Sequence, residues 1–294
     1  MALVDVLLQV AVVVVLLHLG SYWLVVTGRA DRGSGLRGDH LDRLLSAGRQ
    51  VWRNLTTVAP TLGVLAAVLA VNKVVRDVGV ELSWLIGINL TRYIYLLESQ
   101  FVAFVQSFAN PALTAYFGFV YVFGYTFLLT FPIVAYAVHD DARPLRVLFG
   151  AYILNYGLGL LCYVLFVAYG PRNFMPELVE PLLYTSWPQS QLLVQQVNTN
   201  TNVFPSLHTS LSVTVALLAS RFRSVYPRWF PIAVVLAASI TASTMYLGIH
   251  WATDVVAGIG VAWVSVAVAE RLDRESLKRL RRRWRQRKSR TLSK

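Results

Sequence analysis

Two histidines, forty-two positions apart, stand where this sequence could support covalent chemistry. His208 lies in Phe204-Pro205-Ser206-Leu207-His208-Thr209-Ser210, and His250 in Tyr246-Leu247-Gly248-Ile249-His250-Trp251-Ala252-Thr253-Asp254. Asp254 follows His250 by four residues, a spacing that on a helix puts imidazole and carboxylate on one face. A carboxylate held against one ring nitrogen fixes the tautomer and leaves the other nitrogen free to attack an electrophile. Other groups nearby suit an anionic electrophile. Arg172, in Gly170-Pro171-Arg172, offers a planar fork of donors to phosphate, and Ser206 adds a hydroxyl. A helix opening at Leu207 would direct unpaired backbone N–H groups at the same anion.

The elements that must position these groups are apolar and long. The chain has 294 residues, 56% hydrophobic and only 14% charged, a composition that excludes an ordinary soluble domain. Several runs reach the roughly 20 residues a helix needs to cross a bilayer. Seven spans are predicted, at about 3–26, 55–76, 112–137, 147–169, 207–220, 230–248 and 252–270. The first has no Lys or Arg before it and is too long for an ordinary signal peptide, so it reads as a retained anchor with its N-terminus outside. Segments 27–54, 138–147, 221–229 and 271–294 hold 23 of the 27 basic residues and share one side of the seven-span reading. The positive-inside rule puts that side, and the C-terminus, in the cytoplasm. Arg172 and both histidine motifs then meet at the extracytoplasmic face of a cell membrane.

The net charge of +12 comes mostly from the tail, which contains Arg281-Arg282-Arg283-Trp284-Arg285-Gln286-Arg287-Lys288. Directly after a span, such a run is expected to meet anionic lipid headgroups, at roughly 1 kcal/mol per basic residue near the surface, rather than nucleic acid. Cys162 is the only cysteine, so no intrachain disulfide can form. Three regions follow: an N-terminal anchor with a basic segment at 1–54, a membrane domain at 55–270 and a basic tail at 271–294. Leu41, Leu44 and Leu45 suggest a short surface helix. In 82–109, apolar residues at near-helical spacing are interrupted by Asn89, Arg92, Glu98, Gln100 and Gln106, which suits a helix lying in the outer interface. The proline-rich segment 170–204 cannot be one helix. It ends in the run Gln195 to Asn202, which reads as a solvated turn, the alternative being a contact for a polyol headgroup.

Pro205-Ser206-Leu207-His208-Thr209, with Ser243, His250 and Asp254 further on, resembles the type 2 phosphatidic acid phosphatase (PAP2) superfamily over roughly 55–270. The resemblance implies an all-α polytopic membrane helix bundle, with a six-helix phosphatidic-acid-phosphatase-type core and one extra N-terminal transmembrane helix. It implies that His250 is the nucleophile forming a phosphohistidine, that Asp254 orients it, and that His208 protonates the leaving oxygen. Arg172, Ser206, Ser243 and the helix start at Leu207 would hold the phosphoryl group. Neither metal nor cofactor is implied, since positive side chains take the place of the usual ion clamp.

Three departures distinguish the chain within that resemblance. No lysine stands seven residues before an arginine–proline pair, because Arg143-Pro144 has Tyr136 there and lies on the opposite side; Arg172 is the expected replacement. The common Ser-Arg pair reads Ser243-Thr244, and the frequent glycine before the first histidine is Leu207. Ser243-Thr244-Met245-Tyr246-Leu247 is similar to fungal inositol phosphorylceramide synthase and its prokaryotic relatives, which move a phosphorylated headgroup to an alcohol acceptor. A phosphodiester carries about one negative charge against nearly two for a monoester, so it needs less cationic clamping. Headgroup transfer is therefore expected. The alternative is hydrolysis by water, as in a lipid phosphate phosphatase acting on phosphatidate or polyprenyl phosphate. A non-enzymatic lipid transporter or scramblase would call for buried polar groups near mid-membrane, whereas Asp254, the one ionisable residue of the reaction centre that clearly lies within a span, is near one end. A metal-dependent alcohol phosphotransferase, raised by Asp140-Asp141-Ala142-Arg143, would need further aspartates in 144–169, and there are none. His18, His40 and His139 are read as incidental.

Overall fold

The computed structural model describes residues 2–26, 40–192 and 202–292. The protein is a helical bundle, as expected. Helices α1 (Ala2–Val25) and α2 (His40–Ile86) lead into two short helices, α3 (Thr91–Glu98) and α4 (Phe101–Gln106). A long rod follows, built from α5 (Pro111–Phe119), one π-helical segment (Val120–Gly124) and α6 (Tyr125–Ala137). After α7 (Arg143–Leu165) come the short α8 (Pro171–Phe174) and α9 (Leu182–Ser186), then α10 (Leu207–Arg221), α11 (Trp229–Tyr246) and α12 (Ala252–Leu292). The only strand pairing among the described residues is a two-residue parallel pair, Ile88–Asn89 with Phe166–Val167.

Six helical stretches among the described residues are long and apolar enough to cross a membrane, and Pro111–Ala137 counts as one of them. The segment expected to span at 207–220 departs from this. It forms the 15-residue α10, about 22 Å of axial rise at 1.5 Å per residue and short of a bilayer core. It nevertheless runs between the two ends of the bundle. At one end the Ser206 amide donates to the Asp254 carbonyl (3.1 Å), and at the other the Tyr226 hydroxyl donates to the Ala135 carbonyl (2.9 Å). Its sides are covered by α7, α11 and α12, so it need not face lipid along its length. Gly258 permits the close approach of α10 to α12, since a Cβ there would lie 2.6 Å from the Ser206 carbonyl oxygen.

The basic segments gather at one end. Asn54 donates to the Ala137 carbonyl (2.9 Å), Arg143 and Arg146 pair with the buried Asp273 at 3.2 and 2.6 Å, and Arg228 donates to the Leu24 carbonyl (2.9 Å). These contacts bring the end of α1, the start of α2, the α6–α7 turn, the α10–α11 turn and the middle of α12 together. Asp141 caps the amide of Arg143 at 2.9 Å, so the Asp140-Asp141 pair is a turn at that end. His18 donates through Nδ1 to the Val14 carbonyl of its own helix (2.8 Å) and packs on Phe127 and Phe131, which docks α1 on α6. His139 bonds locally to Asp141. The side chains of His40, Leu41, Leu44 and the 281–288 run lie outside the described residues, as do 193–201 of the Asn/Thr-rich loop; Leu45 is exposed.

The 82–109 segment is broken rather than continuous. Ser99 adopts a left-handed backbone (φ 50°) and closes α3 by donating to the Tyr95 carbonyl (2.7 Å), so α4 starts in a new direction. Tyr93, Leu96, Leu97, Phe104 and Phe108 stay exposed, while Ile94 and Val102 are buried against Ala168, Met175 and Trp251. One face is apolar and free, and the other covers the histidine turn.

Candidate active site

His250 lies in the turn between α11 and α12, at the bundle end opposite the basic cluster. The turn needs its glycine. Gly248 has φ +69°, and a Cβ there would lie 2.6 Å from Val179 Cγ1. The Thr244 carbonyl accepts from the amides of Ile249 (3.0 Å) and His250 (3.1 Å), which turns the chain sharply before α12. Gly248→Ala should therefore cost about 1–2 kcal/mol for the left-handed backbone alone, with the overlap on Val179 adding to it. A lowered thermal unfolding midpoint in detergent, together with reduced activity, is the expected measurement.

The spacing of His250 and Asp254 yields the expected contact by a different local geometry. His250 precedes the helix, and Asp254 occupies its first turn. Asp254 Oδ2 accepts from His250 Nδ1 (3.3 Å) and from the Trp251 amide (2.9 Å), the reaching-back half of a capping box. Both residues are buried. With Nδ1–H donating to a carboxylate, Nε2 carries the free lone pair.

Arg172 reaches this turn through α8. A Cβ on Gly170 would lie 2.5 Å from the Ile249 carbonyl oxygen, and the Arg172 amide donates to the Gly248 carbonyl (3.1 Å). Arg172 is only 8% exposed. Nη2 donates to the Tyr184 hydroxyl (3.0 Å), and the group lies 4.6 Å over the Tyr184 ring centroid. Nη1 is buried with no hydrogen-bond partner among the described residues. A buried cation with an unused donor is costly unless an anion fills the place.

His208 stands on the first turn of α10, packed between two tyrosines. Tyr121 stacks on it at 4.4 Å between centroids and 16°, and Tyr125 lies at 4.2 Å and 34°. These tyrosines come from the π-helical segment and the residue after it, where the widened turn re-aims side chains. Rings on its faces leave only the edge of the imidazole, with its nitrogens, for chemistry. The Ser206 amide, two residues before His208, donates to the Asp254 carbonyl (3.1 Å), which brings the His208 turn to the end of the bundle that holds His250.

The remaining sequence-predicted residues divide. Ser206 is buried and caps α10, accepting from the Thr209 amide (3.3 Å) and donating to Thr209 Oγ1 (3.0 Å); its amide on the Asp254 carbonyl ties the two histidine motifs together. Leu207 turns its side chain onto Gly159, where a Cβ would sit 2.6 Å from Leu207 Cδ2, so only its backbone N–H is left for a ligand. Ser243 is buried with its hydroxyl donating to the Ile240 carbonyl (2.6 Å), and among the described residues no hydrogen bond joins it to the histidines. Thr244, where a second arginine would be common, donates to the Thr241 carbonyl (2.8 Å). Tyr121, Tyr125 and Glu98 were not marked by the sequence, because nothing in their own neighbourhoods relates them to a histidine 83 or more residues away, and Tyr184 carries no local mark either. Among the described residues, no group of three or more His, Cys, Asp or Glu is arranged to hold a metal ion.

The profile of the PAP2 superfamily matches residues 92–268, more than half of the chain. The protein belongs to the PAP2 superfamily. That assignment carries phosphatase-type chemistry on lipid phosphoesters in general terms. The match begins at α3, so it takes in Arg172, both histidines and Asp254, and leaves α1 and α2 outside. No curated protein and no solved structure matches the chain. The superfamily match and the clustering of the two histidine motifs with Arg172 thus fall on the same part of the fold.

Proposed function

We propose that this PAP2-superfamily protein is a metal-independent lipid headgroup phosphotransferase of the inositol phosphorylceramide synthase-like type. The observation that carries the reading is the guanidinium of Arg172, the one buried arginine among the described residues, with Nη1 without a hydrogen-bond partner among them beside the His250 turn. Thr244 supplies no second cation. One guanidinium matches the single negative charge of a phosphodiester better than the nearly double charge of a monoester.

In the first step the Nε2 lone pair of His250 attacks phosphorus. The P–O bond to the donor's alcohol breaks, and His208 gives that oxygen its proton. Asp254 stabilises the positive charge that develops on the His250 ring. Arg172 Nη1 and the N-terminal N–H groups of α10 at Leu207 hold the non-bridging oxygens, with Ser206 and Ser243 shaping the cradle. In the second step the acceptor hydroxyl loses its proton to His208 and attacks phosphorus, and the N–P bond breaks. The products are a new phosphodiester lipid and free His250.

The basic end faces the cytoplasm in this reading, where the tail meets anionic headgroups, and the site opens to the extracytoplasmic side of the cell membrane. Membrane lipids supply the donor, and the acceptor is an alcohol. Incubating the purified protein with a headgroup-bearing phosphodiester lipid and a membrane extract should yield a new lipid without stoichiometric free phosphate. Phosphate release from phosphatidate or a polyprenyl phosphate, with no transfer product, would instead make the protein a lipid phosphate phosphatase.

Arg172→Lys should lower kcat/KM by about 10²–10³-fold. A lysine is a point charge and cannot both donate to Tyr184 in the plane and present a second N–H to phosphate. Steady-state kinetics on the phosphodiester donor measure it.

A further inference from the structure

The first turn of α12 is capped by a residue from another element. Trp251 stands at the capping position, but its indole has no acceptor, and its Nε1–H is donated to the Tyr169 carbonyl (2.8 Å). The next two amides donate to the carboxylate of Glu98, the last residue of α3. Ala252 N–H binds Oε2 at 2.8 Å and Thr253 N–H binds Oε1. Glu98 lies 154 residues before Ala252, half-buried at the tip of a helix whose other face carries the exposed Tyr93, Leu96 and Leu97.

We propose that Glu98 is a positioning residue for the His250–Asp254 pair, acting as a cap supplied in trans to α12. The inference rests on the reading of His250 as nucleophile. The first amides of a helix lack intrahelical partners and draw any carboxylate within reach. Asp254, in the same turn, is the carboxylate nearest to them in sequence. It already takes the Trp251 amide on Oδ2, and its Oδ1 has no partner among the described residues. With Glu98 on the Ala252 and Thr253 amides, Asp254 is left to His250. Without Glu98, two unsatisfied donors compete with His250 for Asp254, and the imidazole loses its fixed tautomer and direction.

The test compares Glu98→Ala, Glu98→Gln and Glu98→Asp with His250→Ala, each as purified full-length protein turning over a phosphodiester lipid. Glu98→Ala should lower kcat by about 10–100-fold, the scale of a small misplacement of reacting groups, with KM essentially unchanged. Glu98→Gln keeps one acceptor oxygen and should fall between parent and alanine. Glu98→Asp is one methylene too short and should resemble alanine. An unfolding midpoint near that of the parent for Glu98→Gln, with kcat reduced, supports positioning. Parent-like kcat in the folded alanine or glutamine variants, while His250→Ala is inactive, overturns the inference and leaves the proposed function standing. Should Glu98→Ala fail to fold, Glu98→Gln decides alone, and parent-like kcat there is the overturning result. Activity retained by His250→Ala overturns the reading of the site itself.

Discussion

His250→Ala should abolish turnover while leaving the protein folded. The imidazole is held at Nδ1 by Asp254, so its removal deletes the only group whose free lone pair the local hydrogen bonding prepares. A covalent route has no bypass in which Asp254 or His208 substitutes, because neither occupies the nucleophile's place. Losses of roughly four to six orders of magnitude in kcat are expected for a residue that acts as the nucleophile of a concerted set. The backbone of the turn is fixed by Gly248, by the Thr244 carbonyl and by the Arg172 amide, none of which depends on the ring. The unfolding midpoint should accordingly change little. Product formation by mass spectrometry and thermal unfolding of the same preparation measure both halves of the prediction.

Asp254→Asn should be the second largest effect, and it separates charge from geometry. The Trp251 amide donates to Oδ2 at 2.9 Å, so in the variant it selects the amide oxygen for that position. The His250 Nδ1–H can then still donate there, and the tautomer survives. What disappears is the negative charge that stabilises the positive ring as the N–P bond forms. A fall in kcat of about 10²–10⁴-fold is expected, with KM little changed, because the lost interaction is made mainly in the transition state. A large rise in KM with kcat preserved would instead place Asp254 in substrate binding.

Some of this site is legible in sequence because its parts are local. His250 and Asp254 are four residues apart, Ser206 and His208 two, and the Gly248 turn lies between a helix end and the pair. Each such signal survives without knowledge of the fold. The helical bundle was legible for the same reason, since apolar runs of span length need no tertiary partner to be recognised. The clustering of basic segments at the end opposite the histidines follows the charge pattern, and contacts such as Asn54 to Ala137 and Arg146 to Asp273 realise it.

What sequence could not supply is contact between distant elements. Glu98 looks like an interruption in an amphipathic segment until α3 is seen to end on the first turn of α12. Tyr121 and Tyr125 look like ordinary aromatic residues of a span, and only the π-helical turn brings both to His208. Tyr184 sits in the short α9 of the proline-rich segment, with no local mark. The segment predicted to span at 207–220 does run the length of the bundle, but as a helix of only 15 residues: α10 is wrapped by α7, α11 and α12, so it need not reach the length that a lipid-facing helix requires. The single interfacial helix expected at 82–109 gave way to a left-handed residue, Ser99, whose type carries no strong turn signal.

The central claim is a covalent intermediate on His250. It is tested most directly by mixing the protein with a phosphodiester lipid donor in the absence of acceptor, quenching rapidly in alkali, which preserves a phosphorus–nitrogen bond, and mapping the peptides by mass. The phosphorylated headgroup should be found on His250, should discharge when an alcohol acceptor is added before the quench, and should be missing from His250→Ala. An adduct on another residue that turns over at the same rate, or full turnover by His250→Ala, would contradict the account.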